Sequence, residues 1–147
     1  MCTFINIKMA QLDELFSKVR FSKRESKLNV DFQELEMNVK FQLPEDYKYY
    51  LTNYNSFEGI IGQEYLRLWN AYELNKLNQE YGIKNLPNTI AVGTNGSGEF
   101  IGIELKTNDY RVVLSPFIDL DKENNIEIGI SFSDMLSRLY NGEQWFI

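Results

Sequence analysis

Apolar residues recur at helical spacing in the first part of the chain. The first stripe consists of Met9, Leu12, Phe16 and Val19. Because these positions lie three or four residues apart, they predict an amphipathic helix over residues 9–19. Residues 22–29 are mostly polar and are predicted to form a loop.

Two further helices are predicted, and each has a start signal. Asp31 followed by Glu34 has the pattern of a capping box. The apolar face of that helix consists of Phe32, Leu35 and Val39. Pro44 followed by two acidic residues is typical of a second helix N-terminus. The stripe of this next helix consists of Tyr47, Tyr50, Leu51 and Tyr54, and we expect it to be buried.

From Gly59 onward the hydrophobic pattern changes to that of short strands. Strands are predicted at residues 59–63, 65–69, 89–93, 100–105, 111–114 and 126–130. In the last of these, Ile126, Ile128 and Ile130 alternate as in a half-buried strand. One helix, ended by Gly82, separates the second and third strands, and Ser131 begins a final helix.

Short turns between consecutive strands favour antiparallel pairing. The predicted fold class is therefore α+β, with a mainly antiparallel sheet and helices packed on it. We expect residues 1–147 to form a single domain, in which residues 1–30 are an N-terminal helical extension.

Composition narrows the class of protein. The single cysteine, Cys2, excludes an internal disulfide and has no partner in the sequence that would lower its pKa. No segment has the pattern of a signal peptide or a membrane span, so we expect a cytoplasmic protein without a membrane partner. The sequence leaves open whether it is a monomer or a homodimer.

Charge is distributed unevenly along the chain. The net charge is −6, of which residues 1–60 carry −1 and residues 61–147 carry −5. An acidic surface repels nucleic-acid phosphates and attracts basic partners. We therefore expect no direct nucleic-acid binding. The partner-binding candidates are Glu99, Glu104, Asp119, Asp121 and Glu123.

Catalytic and metal-binding patterns are incomplete. The chain has no histidine, which removes the commonest general base and metal ligand. Residues 93–98 have the glycine spacing of a phosphate-binding loop, but Glu99 stands where the lysine belongs. Residues 119–123 begin like a calcium loop, but Asn124 replaces its glycine. We predict no enzyme activity, no catalytic residue, no cofactor and no metal.

Three patches, in order along the chain, resemble the SUKH superfamily, also called the Smi/Knr-like family. The first runs from Phe32 to Tyr47 and includes Leu35-Glu36 and Leu43-Pro44-Glu45-Asp46-Tyr47. The second is the glycine turn and following strand at 91–103, and the third is Ser131-Phe132 with Leu136. The family often has Gly-Gly after the residue matching Asn55, whereas this chain has Ser56-Phe57.

The resemblance implies the same α+β fold and a protein-binding role. Bacterial members of the superfamily commonly act as immunity proteins that neutralise polymorphic toxins, many of them nucleases. Other members are regulatory or scaffolding proteins. The resemblance therefore implies a cognate protein toxin as partner and stoichiometric occlusion as mechanism. The alternative is a regulatory or scaffolding interaction domain without a toxin. The family supplies no catalytic residue, and the sequence leaves open whether Glu36 is buried.

Overall fold

Helices and strands follow the predicted order. A computed structural model describes the backbone of residues 2–146 and the side chains of residues 8–146. Within these residues the helices are α1 (Cys2–Lys18), α2 (Phe32–Val39), α3 (Glu45–Asn53), α4 (Leu74–Glu80) and α5 (Phe132–Tyr140). The strands are β1 (Glu58–Ile61), β2 (Glu64–Leu68), β3 (Thr89–Thr94), β4 (Glu99–Leu105), β5 (Tyr110–Pro116) and β6 (Ile126–Gly129). The Cys2 side chain, and with it the prediction about its pKa, lies outside the described side chains.

The six described strands form one sheet in sequence order, and every neighbouring pair is antiparallel. Each strand therefore turns back beside the one before it. The helices precede β1, interrupt the sheet between β2 and β3, and follow β6. The predicted α+β fold with an antiparallel sheet is confirmed.

The predicted tyrosine stripe of α3 is buried. Relative exposure is 0% for Tyr47, 1% for Tyr50, 2% for Leu51 and 4% for Tyr54. Phe16 of α1 packs edge-on against Tyr54, with ring centroids 4.9 Å apart. Aromatic pairs in this geometry add stability beyond the area they bury. The N-terminal residues thus contribute to the same core as α3.

Helix α5 crosses the sheet closely at Gly129. A Cβ atom on Gly129 would lie 2.8 Å from the Met135 backbone nitrogen, so only glycine fits this crossing. Gly129 pairs with Val112, which places α5 on the face that also carries Val112 and Leu114. We call this the helix-covered face.

The opposite face of the sheet is covered by the connection between β5 and β6. Phe117 from this connection packs on Phe100, with ring centroids 5.5 Å apart. It also contacts Tyr81 at a centroid distance of 4.4 Å. Because both faces are covered, most residues in the middle of β3, β4 and β5 are buried. We call this second side the loop-covered face.

Two predicted apolar positions differ from expectation at the sheet edge. Ile126 is 42% exposed and Ile130 is 63% exposed, whereas Ile128 is buried. The register between β5 and β6 shifts near Val112, which leaves Ile128 as an extra residue and breaks the strict alternation. Met9 is also 40% exposed, whereas Phe16, further along α1, is fully buried.

Candidate interaction surface

Two acidic residues of the first family-like patch, Glu36 and Asp46, are used inside the fold. A carboxylate oxygen of Glu36 accepts a hydrogen bond from the Leu43 backbone N–H at 2.7 Å and lies 2.8 Å from the Lys48 ammonium nitrogen. Its side chain is 20% exposed, so Glu36 is largely buried, and the same carboxylate oxygen, Oε2, serves both partners. The residue holds the turn between α2 and α3 rather than facing a ligand.

Asp46 joins the first patch to the third. One of its oxygens accepts a hydrogen bond from the Ser133 backbone N–H at 2.9 Å, in the first turn of α5. Ser131 caps the same helix by accepting from the Asp134 N–H at 3.0 Å. A negative charge beside a helix N-terminus is stabilising. The Asp46 carboxylate therefore connects the Asp-Tyr and Ser-Phe patches directly.

Asp13 ties α1 to α3 through two tyrosine hydroxyls. The Tyr49 hydroxyl donates to Asp13 at 2.9 Å and the Tyr54 hydroxyl donates at 2.5 Å. Burial, together with the bonded Asp13 carboxylate, raises the pKa of Tyr49 to about 12. The neutral phenol is therefore the stable form, as a structural hydrogen-bond donor requires.

Most backbone donors of the glycine turn are already occupied. The Asn95 side-chain oxygen accepts from the Ser97 N–H at 2.9 Å, and the Thr94 hydroxyl accepts from the Gly96 N–H at 3.0 Å. Glu99, which is half-buried, accepts from the Asn95 amide at 2.8 Å and closes the turn. A phosphate cradle needs free N–H groups. The turn therefore has the geometry of a self-capped hairpin loop.

Three of the predicted partner-binding acids lie in one exposed loop. We call residues 117–125 the acidic loop, which contains Asp119, Asp121 and Glu123, all exposed to solvent. The Phe117 N–H donates to the Gly98 carbonyl at 3.0 Å, which places the loop beside the glycine turn and Glu99. The structure thus keeps three of the five predicted acids on one exposed loop, whose first residue lies beside the glycine turn that precedes Glu99.

Glu104, although predicted as a contact residue, is buried and does not belong to this exposed surface. Its side chain is 5% exposed and lies under the acidic loop. The Arg111 guanidinium donates to one of its oxygens, and the Lys122 ammonium lies 3.2 Å from the other. Burial raises the pKa of Glu104, but the hydrogen bonds and charges of Arg111 and Lys122 outweigh it, so the pKa is below its ordinary value.

This inward ion pair changes the charge that the acidic loop presents. Lys122 is the sole basic residue among positions 117–125, and it is turned toward Glu104. The side chains that remain outward are acidic or apolar. Ile118, which sequence reasoning missed, is 97% exposed beside Asp119. An exposed isoleucine within acidic residues can enter an apolar recess on a positively charged partner.

The described side chains offer no group of three acidic or cysteine residues that could hold a metal ion. Within the described residues, no helix is long and apolar enough to cross a bilayer.

Comparison with known proteins identifies the family. Among curated proteins, no sequence matches the chain. A sequence model of the SMI1 / KNR4 family (SUKH-1) matches residues 29–138, a stretch that begins just before α2 and ends within α5. It contains all three family-like patches. The match spans most of the chain, and the chain therefore belongs to the SMI1 / KNR4 family (SUKH-1).

Proposed function

We propose that this protein is a cytoplasmic immunity protein that binds a cognate toxin and blocks it stoichiometrically, without turning over a substrate. Membership of the SMI1 / KNR4 family is consistent with an immunity-type domain. Two acidic residues of the first family-like patch, Glu36 and Asp46, are used within the fold. The toxin-specific contacts are therefore expected elsewhere on the surface.

The exposed charge of the acidic loop is the main support for the proposal. The loop carries three exposed acids and the exposed Ile118, and its lysine is paired with the buried Glu104. A nuclease toxin must present a basic cleft to its nucleic-acid substrate. A negative protein surface is steered toward such a cleft, and an apolar anchor at its centre supplies affinity once water is excluded.

The fold suits this task because the loop is held in place. Phe117 is packed between Phe100 and Tyr81, and Lys122 fixes the other end of the loop to Glu104. A preordered surface loses less conformational entropy when it binds. The loop can therefore present its acids in one arrangement to the partner.

Co-expression with toxins encoded beside this gene tests the proposed function. One of them should stop growth when expressed alone, and this protein should restore growth and co-purify with it in a fixed stoichiometry. If no neighbouring toxin is bound and neutralised, the proposal is wrong and a regulatory interaction domain becomes the better interpretation.

Matched isoleucine variants then locate the contact. Ile118→Ala should weaken the complex about tenfold, because an anchor residue is worth 1–2 kcal/mol or more when it fills a pocket. Ile130→Ala is the control, since Ile130 is also exposed but lies outside the acidic loop. Equal affinities of the two variants, measured by calorimetry, would place the interface elsewhere.

A further inference from the structure

A second concave surface lies between α2, α4 and the start of β3. Its cavity has a volume of about 530 Å³, within the range of ligand-binding clefts. Its lining is unusually rich in carboxamides. These are Asn38, Asn75, Asn78, Gln79, Asn85 and Asn88. We call this surface the amide groove.

The lining of the amide groove is positively charged, whereas the molecule as a whole is negatively charged. The chain carries 21 acidic and 15 basic residues, yet no acidic residue lines the groove. Lys40 and Lys84 do line it, and neither makes an ion pair with any described residue. Two cations without carboxylate neighbours favour an anionic ligand.

One of the six carboxamides has a structural role in the groove, and the other five are free to hydrogen-bond to a ligand. The buried Asn78 side chain donates to the Ala91 carbonyl and accepts from the Ala91 N–H, each at 2.8 Å, and so continues the hydrogen bonding of β3. Among residues 8–146, it is the only one of the six whose side chain hydrogen-bonds to the protein. The remaining carboxamides offer donors and acceptors to a ligand.

Two residues that line the groove have a left-handed backbone conformation, which is a second indication that the groove binds a ligand. Lys40 ends α2 with φ of 67°, and Asn88, which also lines the groove, has φ of 55°. Glycine is the usual residue at such a helix end, since a side chain there costs energy. A lysine at this position places an ammonium at the groove in spite of that cost.

We propose that the amide groove binds an acidic peptide segment of a protein partner in an extended conformation. Carboxamides match the alternating N–H and C=O groups of a peptide backbone. Val39, Leu86 and Ile90 supply apolar lining for an intervening side chain. Lys40 and Lys84 would pair with the carboxylates. The groove has no residue in common with the acidic loop, so this proposal stands independently of toxin binding.

A nucleotide fits the amide groove less well. No aromatic ring is among its lining residues, so a base would have no stacking platform. No glycine lines it either, so it lacks the backbone nest that commonly cradles phosphates. The same lysines could attract a nucleotide only through charge.

Nuclear magnetic resonance of the full chain with short peptide probes tests the proposal. The acidic probe is acetyl-GLDLEG-amide, and its controls are the uncharged acetyl-GLNLQG-amide, the basic acetyl-GLKLKG-amide, and ATP. The acidic probe should shift the side-chain amide signals of Asn75, Gln79 and Asn88 saturably, with a dissociation constant of about 1 mM or below. The basic probe should give no saturable shift.

Two variants separate charge recognition from an effect on folding. Lys40→Gln combined with Lys84→Gln should weaken the acidic probe about fivefold, as expected for two exposed ion pairs. Asn75→Asp keeps the side-chain shape and should also weaken it, by repulsion. Lys106→Gln is the control, because Lys106 is an exposed lysine outside the groove. Equal binding by all variants, tighter binding of ATP, or no saturable shift with the acidic probe would overturn the proposal.

Discussion

The helix-covered face and the loop-covered face of the sheet both involve carboxylates, but they use them differently. Beside the helices, Glu36 and Asp46 accept backbone hydrogen bonds that join separate elements. On the loop-covered face, Glu104 is buried in an ion pair, while Asp119 and Glu123 stay exposed above it. Some acidic residues therefore stabilise the fold, and others remain exposed and accessible to a partner. The hydrogen bonds and ion pairs that each carboxylate makes within the protein distinguish the two kinds.

Substitutions in the core of the helix-covered face should have the largest effect on stability. Leu51→Ala or Tyr50→Ala should lower the free energy of unfolding by about 2–5 kcal/mol, because each leaves a cavity among buried side chains. Met37→Ala is the control, since Met37 is 72% exposed and should change stability by less than about 0.5 kcal/mol. Urea unfolding measures both. A Leu51 variant as stable as the Met37 variant would contradict the described packing.

Substitution of Glu104, on the loop-covered face, should have the next largest effect on stability. Glu104→Gln should lower the free energy of unfolding by about 2 kcal/mol, because Arg111 would keep its partly buried position without an ionic partner. Glu127→Gln is the control and should change stability little, because Glu127 is an exposed residue of β6 in the same sheet. If the two variants unfold alike, the buried ion pair does not stabilise the loop-covered face.

Acidification should reveal the same ion pair. The pKa of Glu104 is lower in the folded protein than in the unfolded chain. Its stabilisation should therefore be complete above the unfolded pKa, about 4.3, and be lost as pH falls through the folded pKa. The difference in stability between wild type and Glu104→Gln, followed by urea unfolding from pH 7 to pH 3, should shrink below about pH 4. If the difference in stability stays constant over this pH range, the ion pair of Glu104 is not its source.

A smaller effect is expected at Asp46. Asp46→Asn should destabilise the protein by about 1 kcal/mol, because the charge beside the α5 N-terminus and one of its acceptor oxygens are lost. Glu45→Gln is a matched control in the same helical turn, where the carboxylate is 83% exposed. Thermal unfolding should rank Asp46→Asn clearly below Glu45→Gln, and the reverse order would refute the proposed link between α3 and α5.

The smallest effect on stability should occur in the acidic loop. Replacing Asp119 by Asn together with Glu123 by Gln should change the free energy of unfolding by less than about 0.5 kcal/mol, since both side chains are exposed. Urea unfolding at pH 7 checks this. A large loss would mean that these acids hold the fold, and the distinction between inward and outward carboxylates would fail.

Much of the fold could be predicted from local sequence signals. The Asp31 and Ser131 caps, the tyrosine stripe of α3 and the short turns between strands all appear as predicted. Each of these features depends on neighbouring residues, so a single sequence is sufficient to indicate it.

The misses involve contacts between distant segments or a break in register. Glu104 pairs across a hairpin with Arg111, a signal that the turn at residues 108–109 could have revealed, but Lys122 comes from a loop that folds back. The amide groove combines side chains from α2, α4 and residues 84–90, which no sequence period connects. The bulge in β6 exposes Ile126 in spite of its alternating pattern.

The association rate with the neutralised toxin tests the central claim most directly, namely that the outward acids serve recognition. Stopped-flow measurement should compare wild type with the double variant Asp121→Lys and Glu123→Lys at about 50 mM and about 500 mM salt, where screening differs strongly. Steering predicts a wild-type rate that falls at least about tenfold with salt, and a slower, less salt-dependent rate for the variant. A rate that is unaffected by both salt and charge reversal would contradict the claim.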